Sequence, residues 1–420
     1  MECLLRWAQA MNIGIYASGL GDMQSGGGFT FQSSLLHALA QRNNKHTYYL
    51  FCDDLSSQAG PVTPKLLARA GTWDPLASLT HVRLHSMKYK GLRFFERLLA
   101  RYQHGSLLGR AIKQYKIDVM WYMTPSKVPT SIPYFYTVWD LQHRLQSFFP
   151  EVSSEGVFEA REKHFAMAIP KAAYVFVGTE IGKQEVIKFY GMPEERVIVI
   201  PMPVPSYVEG TVSGFAIERS NPSSRHFMPP SGRTKQKLFL FYPAQFWPHK
   251  NHIVILKALK ILEQKFGFVF DLVLTGSDKG NKAYIQKTVQ EMGLIERVHF
   301  LGFVSIEKII ELYQTAFALV FASYFGPDNI PPLEAFALGC PVVAAHVAGS
   351  NEQLGNAALL FNPSDAEALA LQIKRLHDDK GLRQQLVEWG KERVQTRTPE
   401  LYIQVVEKVI DAFEPIRRCW

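Results

Sequence analysis

Residues 318–345 read ALVFASYFGPDNIPPLEAFALGCPVVAA. Five apolar residues, 318–322, run into a loop that carries Gly326, Asp328 and Asn329. Pro331 and Pro332 follow. They suit the first turn of a helix, where their missing N–H groups would have no intrahelical partner. A second apolar run, 342–345, comes next. Continuous apolar runs that alternate with helices indicate a parallel sheet covered on both faces. In such sheets ligands bind beyond the carboxyl ends of the strands, which makes 323–330 the first loop to inspect for chemistry.

The same alternation extends in both directions. Further apolar runs lie at 238–242, 271–275, 298–301 and 358–361, with helical spacing at 253–265, 282–292 and 306–313. An earlier series lies at 13–18, 47–52, 118–123, 134–138, 174–178 and 197–201, with helical spacing at 31–42 and 180–190. Between the two series, 206–236 is rich in Ser, Pro, Gly and Arg and has no sustained period, so it reads as a linker or mobile insertion. The expected fold is α/β, with two Rossmann-like doubly wound domains at 11–205 and 237–397. The tail, 398–420, holds an amphipathic helix. Its Leu401, Val405, Val406, Val409 and Ile410 share one face, which is expected to cross back onto the first domain. Met11 stands directly before the first strand, and residues 1–10 are given no structural role.

Composition excludes several classes. Hydrophobic residues make up 47% and charged residues 20%, so the 420-residue chain is neither disordered nor fibrous. No run reaches the ~18 apolar residues of a membrane span, and the start does not read as a secretory signal. Lys and Arg exceed Asp and Glu, 46 to 38, and the net charge of +8 favours an anionic partner. Nucleic acid is not expected, because the excess is modest and no recognised nucleic-acid module is present. Cys3, Cys52, Cys340 and Cys419 are scattered without pairs or metal spacing, which fits a reduced, cytoplasmic protein.

Four strand-end loops hold the candidate residues. Gly26, Gly27 and Gly28 follow the first strand, and read either as a flexible turn or as a backbone cradle for phosphate at a helix N-terminus. Asp140 and His143 follow the run ending at Val138, as a carboxylate and imidazole at the cleft edge or as a helix cap and a half-buried surface residue. Lys250, in 243–252, opens a helix, where a cation opposes the macrodipole unless an anion binds between them. Glu334 sits in the first turn after Pro331 and Pro332. There it either accepts hydrogen bonds from vicinal sugar hydroxyls or serves only as a helix-dipole acid.

At this point a family resemblance emerges. The string PPLEAFALGCPVV, residues 331–343, resembles the nucleotide-sugar-binding helix of retaining glycosyltransferases of family 4, the group 1 glycosyl transferases of GT-B fold. The family's lysine segment is similar to WPHKN at 247–251, its middle strand to LVLTG at 272–276, and its base-contacting loop to VHFLGFV at 298–304. Its acceptor-domain loop is similar to DLQH at 140–143, and the end of its first domain to VIVIP at 197–201. The resemblance covers roughly 11–393 and is weakest over 53–117.

The resemblance implies that Glu334 holds the donor ribose, Lys250 neutralises the diphosphate and Gly26–Gly28 face it from an acceptor-side first domain. It implies further that backbone near Phe303 meets the base and that Asp140 and His143 lie near the reacting sugar and acceptor. Three positions depart from the family pattern. Gly326 stands where a second glutamate usually touches the donor sugar, so Asp328, Asn329 and the adjoining Ile330 are the candidates to replace it. Gln245 stands where an arginine is usual, and Trp139 where a histidine is frequent, which leaves a structural role open for His143.

The implied activity is transfer of a sugar, with retention, from a nucleoside diphosphate donor to a glycan or lipid-linked acceptor in polysaccharide or cell-surface glycan synthesis. No metal and no cofactor beyond the nucleotide sugar are expected. The alternatives are a nucleotide-sugar-binding subunit without catalysis, or a phosphorylase, hydrolase or epimerase on the same fold. Finally, 86–116 holds Lys88, Lys90, Arg93, Arg97, Arg101, Arg110, Lys113 and Lys116 against Glu96, interleaved with aromatic and leucine residues. It reads either as a solvated helix or as a basic amphipathic surface for an anionic membrane, which would place the protein peripherally at the inner face.

Overall fold

A computed structural model describes residues 10–18, 20, 26–42, 44–52, 83–86, 107–125, 131–208 and 238–420. Most of the basic stretch 86–116 and almost all of the linker 206–236 lie outside the described residues. Of the linker only a short helical turn, 206–208, is described.

Two parallel sheets form the molecule. The first contains β1 (Asn12–Ala17), β2 (Thr47–Cys52), β3 (Arg83–Ser86), β4 (Val119–Tyr122), β5 (Tyr134–Thr137), β6 (Tyr174–Val177) and β7 (Val197–Val199), in the order β3-β2-β1-β4-β5-β6-β7. The second contains β8 (Phe239–Pro243), β9 (Asp271–Thr275), β10 (Val298–Gly302), β11 (Ala318–Phe321), β12 (Val342–Ala345) and β13 (Ala358–Phe361), in the order β10-β9-β8-β11-β12-β13. Both orders reverse direction beside the first strand, as in a doubly wound fold, and this switch point opens a crevice at the carboxyl edge. In the first sheet Ile15 lies between Leu50 and Trp121.

Strand side chains alternate between two cores, as the pleat demands. Val119 and Trp121 of β4 face one core, while Met120 and Tyr122 face the other. The stretch that opened the sequence argument behaves as expected. The helix Ile330–Ala337 follows β11, carries proline in its first turn and returns the chain to β12, which pairs parallel with β11.

The C-terminal helix, Pro399–Arg417, packs on the first sheet's core. Its buried face is Tyr402, Ile403, Val406, Ile410 and Phe413, each worth about 1.5–3 kcal/mol on burial. The expected stripe is thus rotated by about one residue. Leu401 is 39% exposed, and Val405 and Val409 are only partly buried. Polar contacts fix the register: Lys45 Nζ lies 2.7 Å from Asp411, Arg42 lies 2.9 Å from Glu407, and the Arg417 guanidinium donates to the Asp118 carbonyl at 2.8 Å. No helix among the described residues is long and apolar enough to cross a membrane.

Candidate functional site

A cleft of about 580 Å³ lies between the two sheets, lined from both halves. Its first-half wall includes Gly26–Gly28, Trp139 and Asp140. Its second-half wall includes Gln245, Lys250, Phe303 and the loop 325–331.

Helix Gly27–Ala40 starts at this wall. Gly26 has φ 73° and gives no side-chain cap, and a glycine-led helix N-terminus of this kind suits an anionic ligand. The glycines also permit close packing. A Cβ at Gly28 would lie 3.0 Å from the Trp139 indole, and one at Gly27 would lie 3.4 Å from Ile330 of the opposite half. Gly26 faces the Gln245 amide, whose nitrogen would be 3.6 Å from a Cβ there. Gln245 is held in turn by Trp247, which donates to its Oε1 at 3.0 Å.

Lys250 ends a short 3₁₀ turn, Pro248–Lys250. Its ammonium lies 5.4 Å from the centre of the Phe321 ring. Burial lowers its pKa to about 8, while the negative charges of Asp140 and Glu151 pull the other way. A cation kept partly dry and facing a cleft is poised to gain from an anionic ligand. Beside it, His249 binds the Glu151 carboxylate through both its backbone N–H, at 3.1 Å, and its imidazole. Glu151 belongs to the first half. Gln146 adds a bond from its amide to the Tyr324 carbonyl at 2.9 Å, so this edge of the cleft joins the two halves directly.

The loop 325–331 is built differently from a simple sugar-reading loop. Gly326 has φ 135°, and a Cβ there would lie 2.4 Å from the Asn329 Oδ1. A side chain at 326 would therefore be strained in this loop and would displace the Asn329 amide. Asn329 donates to the Gly326 carbonyl at 2.6 Å, and its backbone N–H donates to Gln353 at 3.1 Å. Asp328 accepts from the Met202 N–H at 2.8 Å and from the Gln353 amide, with Arg397 3.8 Å away. Its side chain also abuts Gly178 of the first half. Burial pushes its carboxyl up to about 7. Its three polar neighbours are all donors, which suits the ionised form.

Two candidates lie behind the cleft wall. Glu334 is 7% exposed and accepts hydroxyl bonds from Tyr313, at 2.5 Å, and from Tyr207 of the 206–208 turn. Burial raises its pKa and the two hydroxyls oppose that. His143 is fully buried, and its Nε2 meets Glu162 at 3.1 Å and the Tyr190 hydroxyl at 3.3 Å. Burial lowers its pKa. Asp140, in contrast, lines the cleft, where its carboxylate accepts from the Gln142 N–H at 2.9 Å and pairs with Arg161. The structure thus brings Gly26–Gly28, Asp140, Gln245, Lys250, Phe303, Asp328, Asn329 and Ile330 to one cavity. Neither Glu334 nor His143 belongs to that lining.

Residues 223–393 match the family model described as glycosyl transferases group 1. The match covers 171 of the 420 residues, in the linker and the second half. It is 27% identical over 210 residues to an O-antigen chain mannosyltransferase of Salmonella typhimurium, covering 50% of this chain and 52% of that protein. An O-antigen chain mannosyltransferase B of Escherichia coli is 24% identical over 256 residues, covering 59% and 65%. The match therefore spans about half the length of the first relative and just under two thirds of the second. Among solved structures, sucrose-phosphate synthase of Thermosynechococcus elongatus superposes with a TM-score of 0.69 at 19% identity, over 96% of this chain and all of that one. WaaG, a glycosyltransferase involved in lipopolysaccharide biosynthesis, gives 0.61 at 16% identity, over 96% and 99%. Anabaena HepE, solved with UDP-glucose, gives 0.65 at 16% identity, over 96% and 100%. The fold is GT-B: two Rossmann-like sheets face each other across the cleft, and the last helix crosses back to the first.

Sequence reasoning missed the contacts that join the halves. His249 lay in the WPHKN segment, but nothing marked Glu151 as its partner. Tyr207 lay in a stretch read as linker, and Gly178 at a strand end without any ligand signal.

Proposed function

We propose that the protein is a glycosyltransferase that moves a sugar from a nucleoside diphosphate donor, with retention, to a glycan or lipid-linked acceptor. The observation that carries this reading is the opposition of Lys250 on one cleft wall to the glycine-led N-terminus of helix Gly27–Ala40 on the other. Two fixed positive groups from separate halves suit a diphosphate that gains charge as it leaves. In the reaction the bond from sugar C1 to the diphosphate oxygen breaks, and the acceptor oxygen bonds to the same face of C1. The acceptor proton leaves with the diphosphate. The exposure of Phe303 at the cleft, 56%, supports a base contact by the backbone of this loop. Ribose binding by Glu334 requires a ribose hydroxyl to replace that of Tyr207.

The relatives' names favour a mannosyl donor and an O-antigen type of glycan. We place the reaction in the cytoplasm, with the basic stretch 86–116 seating the enzyme on anionic lipid, and without a metal ion. The test is thermal shift against GDP- and UDP-sugars, followed by product analysis on octyl glycosides in excess chelator. A transferred sugar with retained configuration is the expected product. Free sugar or an epimer would favour a hydrolase or epimerase, and binding without turnover would favour a non-catalytic subunit.

The pKa of Lys250 gives a second expectation. A bound diphosphate favours the charged lysine, so binding takes up a proton where the free group is neutral. Affinity for GDP or UDP should fall about thirtyfold between about pH 7 and pH 9.5, given a free pKa of about 8. Calorimetry at the two pH values checks this, and a flat profile would remove Lys250 from the diphosphate.

A further inference from the structure

A small side pocket adjoins the cleft on its first-half wall. Trp139 and Asp140 line both cavities, and the polar or small residues Thr179, Gly182 and Glu185 are among those that line the smaller one. Its volume is about 10 Å³, near the minimum that holds one water-sized group. Glu185 Oε2 is buried without a hydrogen-bond partner among the described residues. Such an atom is costly to leave unpaired. The Thr179 hydroxyl accepts from the Gly182 N–H at 3.1 Å. Asp140 is anchored by Arg161 and the Gln142 N–H. Burial, with a smaller push from Asp140, raises the Glu185 carboxyl to about 7. A carboxyl near that point can donate to or accept from the same oxygen.

We infer that Glu185 and Asp140 form a hydroxyl-binding subsite, and that it seats one hydroxyl group of the acceptor saccharide beside the reacting centre. This inference rests on the glycosyl-transfer reading. The pocket wall comes entirely from the first half, across the cleft from Lys250, so it holds the part of the ligand that the diphosphate anchor does not. Its size admits a single oxygen and not a sugar ring, so it reads one position of the acceptor. The unpaired Glu185 oxygen rejects a deoxy acceptor at that position, because a buried polar group left without its partner weakens binding.

Two variants test the subsite from opposite directions. Glu185→Gln keeps the shape and changes the hydrogen-bonding group. Gly182→Ala keeps Glu185 and fills the pocket. The added methyl would lie 3.3 Å from the Thr179 Oγ1 and 3.5 Å from the Val177 Cβ, so it fits once the Thr179 side chain gives by a few tenths of an ångström. Alanine also favours a helix interior over glycine. Each variant is assayed with the GDP- or UDP-sugar that the wild type uses and the best acceptor from a panel of octyl glycosides. Both should raise the acceptor KM at least about tenfold, with a smaller change in kcat and with GDP or UDP affinity within about twofold of wild type. An unchanged acceptor KM in either variant overturns the subsite. Wild-type protein that binds neither GDP nor UDP and transfers to no glycoside would overturn the transferase reading itself, and this inference with it.

Discussion

Replacing Lys250 with alanine should lower single-turnover transfer by at least about a hundredfold, the usual cost of deleting one preorganised charge at a developing anion. The size of the effect follows from what surrounds the residue. Gln245 occupies the position nearest in role, but its amide is neutral and its oxygen is tied to Trp247. The helix N-terminus at Gly26 acts through partial charges only. His249 is committed to Glu151, and burial holds its pKa low, so it is a poor substitute cation. Lys279 lies over the Trp247 ring at 5.7 Å and is itself exposed. The loss should appear in the chemical step, because the charge on the diphosphate grows as the glycosidic bond breaks. Lys250→Arg should recover part of the rate by restoring charge. Near-normal single-turnover rates in the alanine variant would mean that the diphosphate is held elsewhere.

Local patterns carried much of the architecture. All six strands of the second sheet were legible: β8, β9, β11, β12 and β13 are largely apolar runs with most residues buried, and the edge strand β10, though only partly buried, keeps Val298, Phe300 and Leu301. In the first sheet β3 was not. Its sequence, RLHS, has no apolar run, and it occupies the edge beside β2, where only one neighbour constrains it. The C-terminal helix was legible as amphipathic, but its face was misplaced by one residue. Tyr402 and Phe413, which sit against Phe31 and Phe135, were absent from the expected stripe.

The site was legible where short segments enter the cleft after a strand. Gly26–Gly28, Lys250 and the 325–331 loop each follow the end of a strand. Contacts that depend on two distant segments were not readable from spacing. His143 is held by Glu162 and Tyr190, and Glu334 by Tyr207 and Tyr313, through side chains separated by 19 to 127 residues. Burial turned both into anchored groups, although each sits one residue or one turn from the cleft lining. Glu185 escaped notice because a lone acid within helix Glu180–Tyr190 resembles any solvated residue of an amphipathic helix.

Asp328→Ala should cost at least about 3 kcal/mol of stability, because it leaves a buried arginine without its countercharge. Arg397 is 9% exposed, and Asp328 is the acid nearest to it at 3.8 Å among the described ion pairs. The substitution also removes the acceptor for the Met202 N–H and for the Gln353 amide. Met202 lies at the end of the first half, Gln353 and Arg397 in the second, and Gly178 leaves the space into which the carboxylate fits. The side chain therefore ties the two halves together at the base of the cleft, and its loss should loosen their relative placement as well as the fold. Asn329→Ala is the control. It removes one hydrogen bond, to the Gly326 carbonyl at 2.6 Å, and should cost only about 1 kcal/mol. Denaturant titration separates the two variants, and transfer assays over several nucleotide sugars separate a structural role from a recognition role. If Asp328→Ala leaves stability intact and changes only the preference among donors, the carboxylate reads the sugar and the hinge is held by other contacts. If stability falls while donor preference is kept, Asp328 serves the joint between the two halves and not the recognition of the sugar.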